Sequence, residues 1–193
     1  MVQRIVMFLL GAVADFFSFM FLVRFLMQAC RVSFANPLGE SVVALTNWAV
    51  KPLRRIVPAI LGYDTASLIP AWLLQAILVL VGALLQGGDA VTAAIGGLLP
   101  TALAIGFIDA VRIGLYVLIV ALIAAAIVSW VNPYSPLASP VMQMTRPLLR
   151  PIQRIVPPLG QIDLSPLVAI LLLQVLLMLL DGLKGGVLRA LLA

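Results

Sequence analysis

The chain has no histidine and a single cysteine, Cys30, in 193 residues. Histidine is the commonest general base near neutral pH and the commonest metal ligand. Its absence removes most hydrolytic, zinc and histidine-ligated haem chemistries. One thiol can neither close an internal disulfide nor build a cysteine-based metal cluster. No Ser/Asp pair comes with a plausible base, so an intramembrane enzyme is not expected, and neither is a cofactor. Charge is also scarce. Only 10% of the residues are charged, where soluble domains carry about 25%.

What fills the chain instead is hydrocarbon: 64% of residues are hydrophobic and the mean hydropathy is +1.21. A water-soluble core of this length could not hide so much apolar surface, so lipid must be the solvent for much of it. The net charge is +5. On a soluble protein that would raise the question of nucleic acid. Here the cations gather in two short loops between apolar runs, which is a membrane-topology signal, and no basic stripe is interleaved with aromatics. Nucleic acid is not an expected partner.

The two basic loops are versions of one another. Asn36-Pro37 is followed by Lys51-Pro52-Leu53-Arg54-Arg55-Ile56-Val57-Pro58, then Asp64, Ser67 and Gln75. Asn132-Pro133 is followed by Arg150-Pro151-Ile152-Gln153-Arg154-Ile155-Val156-Pro157, then Asp163, Ser165, Pro166 and Gln174. The offset is 99 residues at Lys51/Arg150, Pro52/Pro151, Arg55/Arg154, Pro58/Pro157, Asp64/Asp163 and Gln75/Gln174. At the Asn-Pro pairs it is 96, with Tyr134-Ser135-Pro136 as an insertion. The expected fold is an all-α membrane protein of two tandem parallel repeats, each a transmembrane helix, a basic amphipathic interfacial segment and a second transmembrane helix. Repeat 1 is residues 1–88, around the loop 35–64. Residues 89–108 connect it to repeat 2, residues 109–193, around the loop 132–163.

About 20 apolar residues cross a bilayer. Ile5–Ala29 fits that length and continues past Ala12-Val13-Ala14, which otherwise resembles a signal-cleavage site. Arg24 and Arg31 can snorkel to headgroups. Asn36-Pro37 is expected to stop this helix, because proline lacks a donor and restricts its predecessor. Leu38, Val42, Leu45 and Ala49 then recur at helical spacing opposite Glu40, Ala44, Asn47 and Lys51, up to a break at Lys51-Pro52. Leu137, Val141, Met144 and Leu148 repeat that stripe opposite Ser139, Gln143, Arg146 and Arg150. Asp64 or Ser67 can cap the second span, Leu68–Leu85, and Ser165-Pro166 reads as an N-cap with an N1 proline for the fourth, Leu167–Leu180. Val91–Ile108 holds Gly96, Gly97, Pro100 and Gly106. Its length would allow a further span, but that would put the two basic loops on opposite membrane faces, so it is expected to lie at the surface or re-enter the bundle, ahead of a third span at Ile113–Val131. Asp109 and Arg112, at i and i+3, can pair on one helix face. Lys184 and Arg189 are placed on a short tail along the membrane.

Polar residues inside the spans are costly and face partners or cavities. Asp15, Gln75, Asp109 and Gln174 are the candidates. Asp15 and Asp109 are either a paired polar site or boundary residues capping their helices. On the loops, Lys51, Arg54, Arg55, Arg146, Arg150 and Arg154 are candidate contacts for anionic headgroups or acidic protein partners, although they can equally serve only to set topology. Seven cations (Arg31, Lys51, Arg54, Arg55, Arg146, Arg150, Arg154) face four (Arg4, Arg112, Lys184, Arg189) across the membrane. The positive-inside rule therefore puts both loops in the cytoplasm.

At Asn36-Pro37, Pro52–Pro58 and Asp64 to Ser67, and again at Asn132–Pro136, Pro151–Pro157, Gly160 and Asp163–Pro166, the chain resembles the YggT family of small integral membrane proteins, YlmG-type members included. Two departures stand out: Gly62 lies one residue late relative to Gly160, and Gln153 replaces one of two paired arginines. The resemblance implies a multi-pass protein of the bacterial inner membrane or a plastid membrane. It also implies a link to osmotic-stress tolerance, to envelope or division-associated organisation, and in plastids to membrane assembly, with no established catalytic activity. The expected role is a non-enzymatic scaffold or assembly factor, partnered by anionic lipid and by another protein or further copies of itself. The alternative is an oligomeric channel or transporter for ions or osmolytes, with the four intramembrane polar residues lining it.

Overall fold

The computed structural model describes residues 1–57, 64–86, 95–132, 134–156 and 163–192. Pro58, Gly62, Pro133, Pro157, Gly160 and the connector's residues 89–94 lie outside the described residues. All regular structure among the described residues is helical: α1 (Val2–Ala29), α2 (Pro37–Ile56), α3 (Thr65–Gln86), α4 (Ile95–Val131), α5 (Ala138–Ile155) and α6 (Ser165–Leu192). Four of these carry stretches long and apolar enough to cross a membrane: Val2–Ala29, Thr65–Leu85, Gly97–Ser129 and Ser165–Arg189. With so little charge to solvate them, the chain is a membrane protein.

The first span ends where its expected bounds put it, and the Asn-Pro pair is not what stops it. α1 stops at Ala29, and Arg31 takes a left-handed backbone (φ 55°) to turn the chain. Asn36-Pro37 instead opens α2. Asn36 is the N-cap, its Oδ1 accepts the Gly39 N–H at 2.9 Å, and Pro37 sits in the first turn, where its missing donor costs nothing. Gly39 has no room for a side chain, since a Cβ would lie 2.6 Å from the Phe34 backbone.

The stripes on α2 and α5 are largely where the spacing put them. Val42 and Ala49 are buried, and so are Val141 and Met144. Leu38 and Leu148 are half-buried, while Leu45 and Leu137 are exposed, at 38% and 40%. Pro52 does not end its helix, nor do Pro147 and Pro151: α2 runs to Ile56 and α5 to Ile155. All three rings lie on the exposed side. There a carbonyl that has lost its helical donor can be hydrated, so the interruption is affordable.

Residues 95–108 correct the connector. They are not a separate surface or re-entrant piece but the first turns of α4, which continues through Pro100 to Val131. The apolar stretch Gly97–Ser129 has 33 residues. At 1.5 Å per residue that is about 50 Å, too long to cross about 30 Å of hydrocarbon upright. The extra length lets α4 serve two neighbours. Its N-terminal part packs on α3: Trp72 Nε1 donates to the Leu103 carbonyl at 2.8 Å, and its ring meets Phe107 edge-on at 6.2 Å. Gly106 makes the closest approach, and a Cβ there would fall 2.5 Å from the Ala76 amide nitrogen. The C-terminal part of α4 packs on α6, with Leu122 fully buried in a cluster with Ala169, Leu173 and Ile152 of α5.

The larger core gathers Phe21, Leu22, Val23 and Met27 of α1, Val42 and Val50 of α2, Ala71 of α3, Val117 of α4 and Met144 of α5. α2 rests on α1 and α3, and α5 on α4 and α6. α6 is a single helix to Leu192, so Lys184 and Arg189 belong to it and not to a separate tail.

Candidate functional site

Each loop closes on the start of the following span through one carboxylate. In the first half, Arg54 near the end of α2 reaches Asp64 just before α3. Nη2 donates to Oδ2 at 2.5 Å and Nε to Oδ1 at 3.3 Å. The Ser67 hydroxyl donates to the same Oδ2 at 2.8 Å, and Arg54 also reaches Gln28 Oε1 at 3.2 Å. Asp64 is 4% exposed. Its burial pushes the carboxyl up, but the hydrogen bonds from Arg54 and Ser67, with the nearby Arg54 and Arg24 charges, outweigh it and hold the group below the usual carboxylate range.

In the second half Gln153 does the same job without charge. Its Nε2 donates to Asp163 Oδ2 at 2.9 Å, and the Ser165 N–H donates to Oδ1 at 2.9 Å. Burial again pushes Asp163 up, and the hydrogen bonds from Ser165 and Gln153 bring it below the ordinary value. Asp163 caps the first turn of α6 where Ser165 was expected to.

Arg24, expected to snorkel, turns inward. It is 5% exposed and donates through Nη1 to Thr46 Oγ1 at 2.7 Å and Asn47 Oδ1 at 3.0 Å. That fastens α1 to the polar edge of α2. Phe17 and Phe21 cover the junction against Trp48.

The intramembrane candidates do not form one set. Gln75 is buried, and its Nε2 donates to Asp15 Oδ1 at 3.0 Å and Ser18 Oγ at 3.1 Å. Ser18 donates onward to the Ala71 carbonyl at 3.3 Å. Gln174, the counterpart of Gln75, is exposed. Asp109 pairs across to α6 and not along its own helix: Lys184 Nζ lies 2.7 Å from both carboxylate oxygens. Arg112 instead meets Asp181 of α6 at 3.4 Å and stacks over Tyr116. Ser18, Arg24, Asp181 and Lys184 were not singled out from the sequence as bundle ties. The basic residues between the apolar runs had been noticed, but which of them turn inward depends on neighbours far along the chain.

Of the loop cations, only Arg54 is tied to an acid among the described residues. Lys51, Arg55, Arg146, Arg150 and Arg154 are exposed. Cys30 donates to the Met144 carbonyl at 3.6 Å, joining the end of α1 to α5. Burial pushes its thiol up, away from the reactive thiolate. Among the described residues no group of three or more Asp, Glu, Cys or His could hold a metal ion.

Beside the Gln153–Asp163 tie lies an open groove of about 930 Å³ between α4, α5 and α6. Its lining includes the polar Gln143 and Arg146 and the apolar Ile127, Leu167 and Leu171.

A family model described as CCB3/YggT matches residues 3–85 and 104–183. A Pseudomonas aeruginosa protein is 36% identical over 174 residues, covering 89% of this chain and 86% of its own. An Escherichia coli K12 protein called YggT is 36% identical over 171 residues, covering 88% and 85%. A Haemophilus influenzae protein is 29% identical over 178 residues, covering 92% of each. No solved structure matches the chain.

Proposed function

Because the chain belongs to the CCB3/YggT family, we propose that it is a non-enzymatic multi-pass scaffold or assembly factor of the bacterial inner membrane, tied to envelope organisation, division or osmotic-stress tolerance. In this reading its halves are tandem parallel repeats about an axis along the membrane normal, with both loops cytoplasmic. The observation that carries it is that α2 and α5 each end in exposed cations: Lys51 and Arg55 on the one, Arg150 and Arg154 on the other. Two spans, α3 and α4, separate these helices, so two crossings return the chain to the same face. The Cys30–Met144 contact joins that end of the first half to the second. Buried apolar stripes hold both helices down while the cations stay free for anionic headgroups or an acidic partner.

The test replaces Lys51, Arg55, Arg150 and Arg154 together with glutamine, leaving the Arg54–Asp64 tie intact. The variant should insert and fold normally, but lose enrichment of anionic lipid on mild extraction and fail to restore growth of a deletion strain under osmotic stress. Normal lipid enrichment and normal growth would sink the proposal.

The channel reading draws on Asp15, which is exposed on α1 beside Gln75. Potassium flux through liposomes that disappears in Asp15→Asn would favour it over the scaffold.

A further inference from the structure

We propose that the groove between α4, α5 and α6 holds one anionic phospholipid, with its phosphate on Arg146 and an acyl chain along Leu167 and Leu171. This rests on the membrane-scaffold reading and gives its lipid contact a specific place. The groove is amphipathic. Its polar lining includes Asp163, just before α6 begins, and Gln143 and Arg146 of α5. From there α6 carries it into the apolar span Ser165–Arg189 past Leu167 and Leu171, which are 59% and 53% exposed. A cavity that starts at headgroup level and continues into hydrocarbon matches an amphiphile that lies along the span. Its volume suits a ligand of that order.

The charge favours phosphate. Arg146 has no carboxylate partner among the described residues, and a free guanidinium fork matches phosphate oxygens. Asp163 also borders the groove, but its carboxylate is taken by Gln153 and the Ser165 amide.

The first half is filled differently at the corresponding corner. There Arg24 reaches in from α1 to Thr46 and Asn47, the counterparts of Thr145 and Arg146. The counterparts of Leu167 and Leu171 are Leu68 and Trp72, which line a smaller opening of about 330 Å³ between α1, α3 and α4, where Trp72 meets Leu103 and Phe107 of α4. Among the described residues no further span packs on α6 as α4 packs on α3, and a lipid chain supplies the missing apolar surface. A second copy of the chain could cover Leu167 and Leu171, but an apolar helix would leave Arg146 unmatched.

The experiment uses the full chain in nanodiscs of mixed phosphatidylglycerol and phosphatidylcholine, with native mass spectrometry counting lipids retained after release. The wild type should hold one phosphatidylglycerol. R146Q should weaken that retention about tenfold. L171W, which places in the groove the tryptophan that the first half has at Trp72, should abolish it. An R4Q variant, changed at an exposed cation outside both the groove and the loops, should keep it. Retention unchanged in both R146Q and L171W overturns the groove site, and if a K51Q/R55Q variant alone loses the lipid, the scaffold reading survives without it. Loss of self-association in L171W with lipid unchanged also overturns it, in favour of a second copy. If the wild type retains no phosphatidylglycerol over phosphatidylcholine and no variant changes, both readings fall.

Discussion

Arg54 and Gln153 stand 99 residues apart in the chain and reach corresponding carboxylates, Asp64 at 2.5 Å and Asp163 at 2.9 Å. A guanidinium and an amide thus make the same tie between the end of an interfacial helix and the start of a span. It follows that the tie requires a donor there more than a charge. R54Q should therefore fold and cost under about 1 kcal/mol. R54A leaves the buried Asp64 with Ser67 alone and should cost about 1.5–3 kcal/mol. Thermal unfolding in detergent measures both. Equal losses in the two variants would mean that the charge itself is needed.

The same tie sets an acid limit. Asp64 is held below its ordinary carboxyl value, so the folded state binds its proton less readily than the unfolded state does. Its contribution is fully present above the unfolded value of about 3.9 and fades as pH falls through the lower folded value. Melting temperature should fall from about pH 4 downward. D64N should start lower at neutral pH and show a shallower acid decline. A D64N profile parallel to wild type would place the acid sensitivity elsewhere, Asp163 being the first alternative.

Gly106 should be the least replaceable residue of α4. A Cβ there would meet the Ala76 backbone at 2.5–2.6 Å, and neither helix backbone can yield without separating. G106A should cost about 1–3 kcal/mol by overpacking, and G106L should abolish the folded bundle. Trp72 reports on this interface through its contacts with Leu103 and Phe107, so its emission should shift red in G106A. Unchanged emission and melting would show that α3 and α4 part without cost.

The spans and the apolar stripes were legible because they depend on composition and on spacing within one helix. Val42, Ala49, Val141 and Met144 are buried as their periodicity requires. What crosses between helices was less legible. Asp109 and Arg112 have the spacing of a pair on one face, but α6 runs far enough to bring Lys184 and Asp181 to them. Arg24 near a helix end reads as a snorkelling residue, and only the position of Thr46, 22 residues on, turns it inward. Gly96, Gly97, Pro100 and Gly106 suggested a bend. At Gly106 the lack of a side chain serves contact with α3 instead. Asn36-Pro37 suggested a stop and marks a start, since an asparagine before a proline suits an N-cap as well as a break. For the candidate site, the run Pro52-Leu53-Arg54-Arg55 and the stretch Asp64 to Ser67 contain the participants, but nothing in them says that Arg54 turns to Asp64 while Arg55 stays exposed.

The two ion pairs between α4 and α6 should contribute unequally. Asp109 and Lys184 have side chains 15% and 29% exposed and meet at 2.7 Å, whereas Arg112 and Asp181 are 36% and 54% exposed and lie 3.4 Å apart. Attraction grows as water is excluded, and a partner left alone in a dry site is costly. A double-mutant cycle on D109N and K184Q should give a coupling of about 1–3 kcal/mol, with the double variant more stable than the worse single one. The cycle on R112Q and D181N should give under about 1 kcal/mol and shrink in high salt. Unfolding by a denaturing detergent, followed by circular dichroism, measures both cycles. If the second coupling matches the first, burial is not what ranks them, and the stacking of Arg112 on Tyr116 is the contact to remove next.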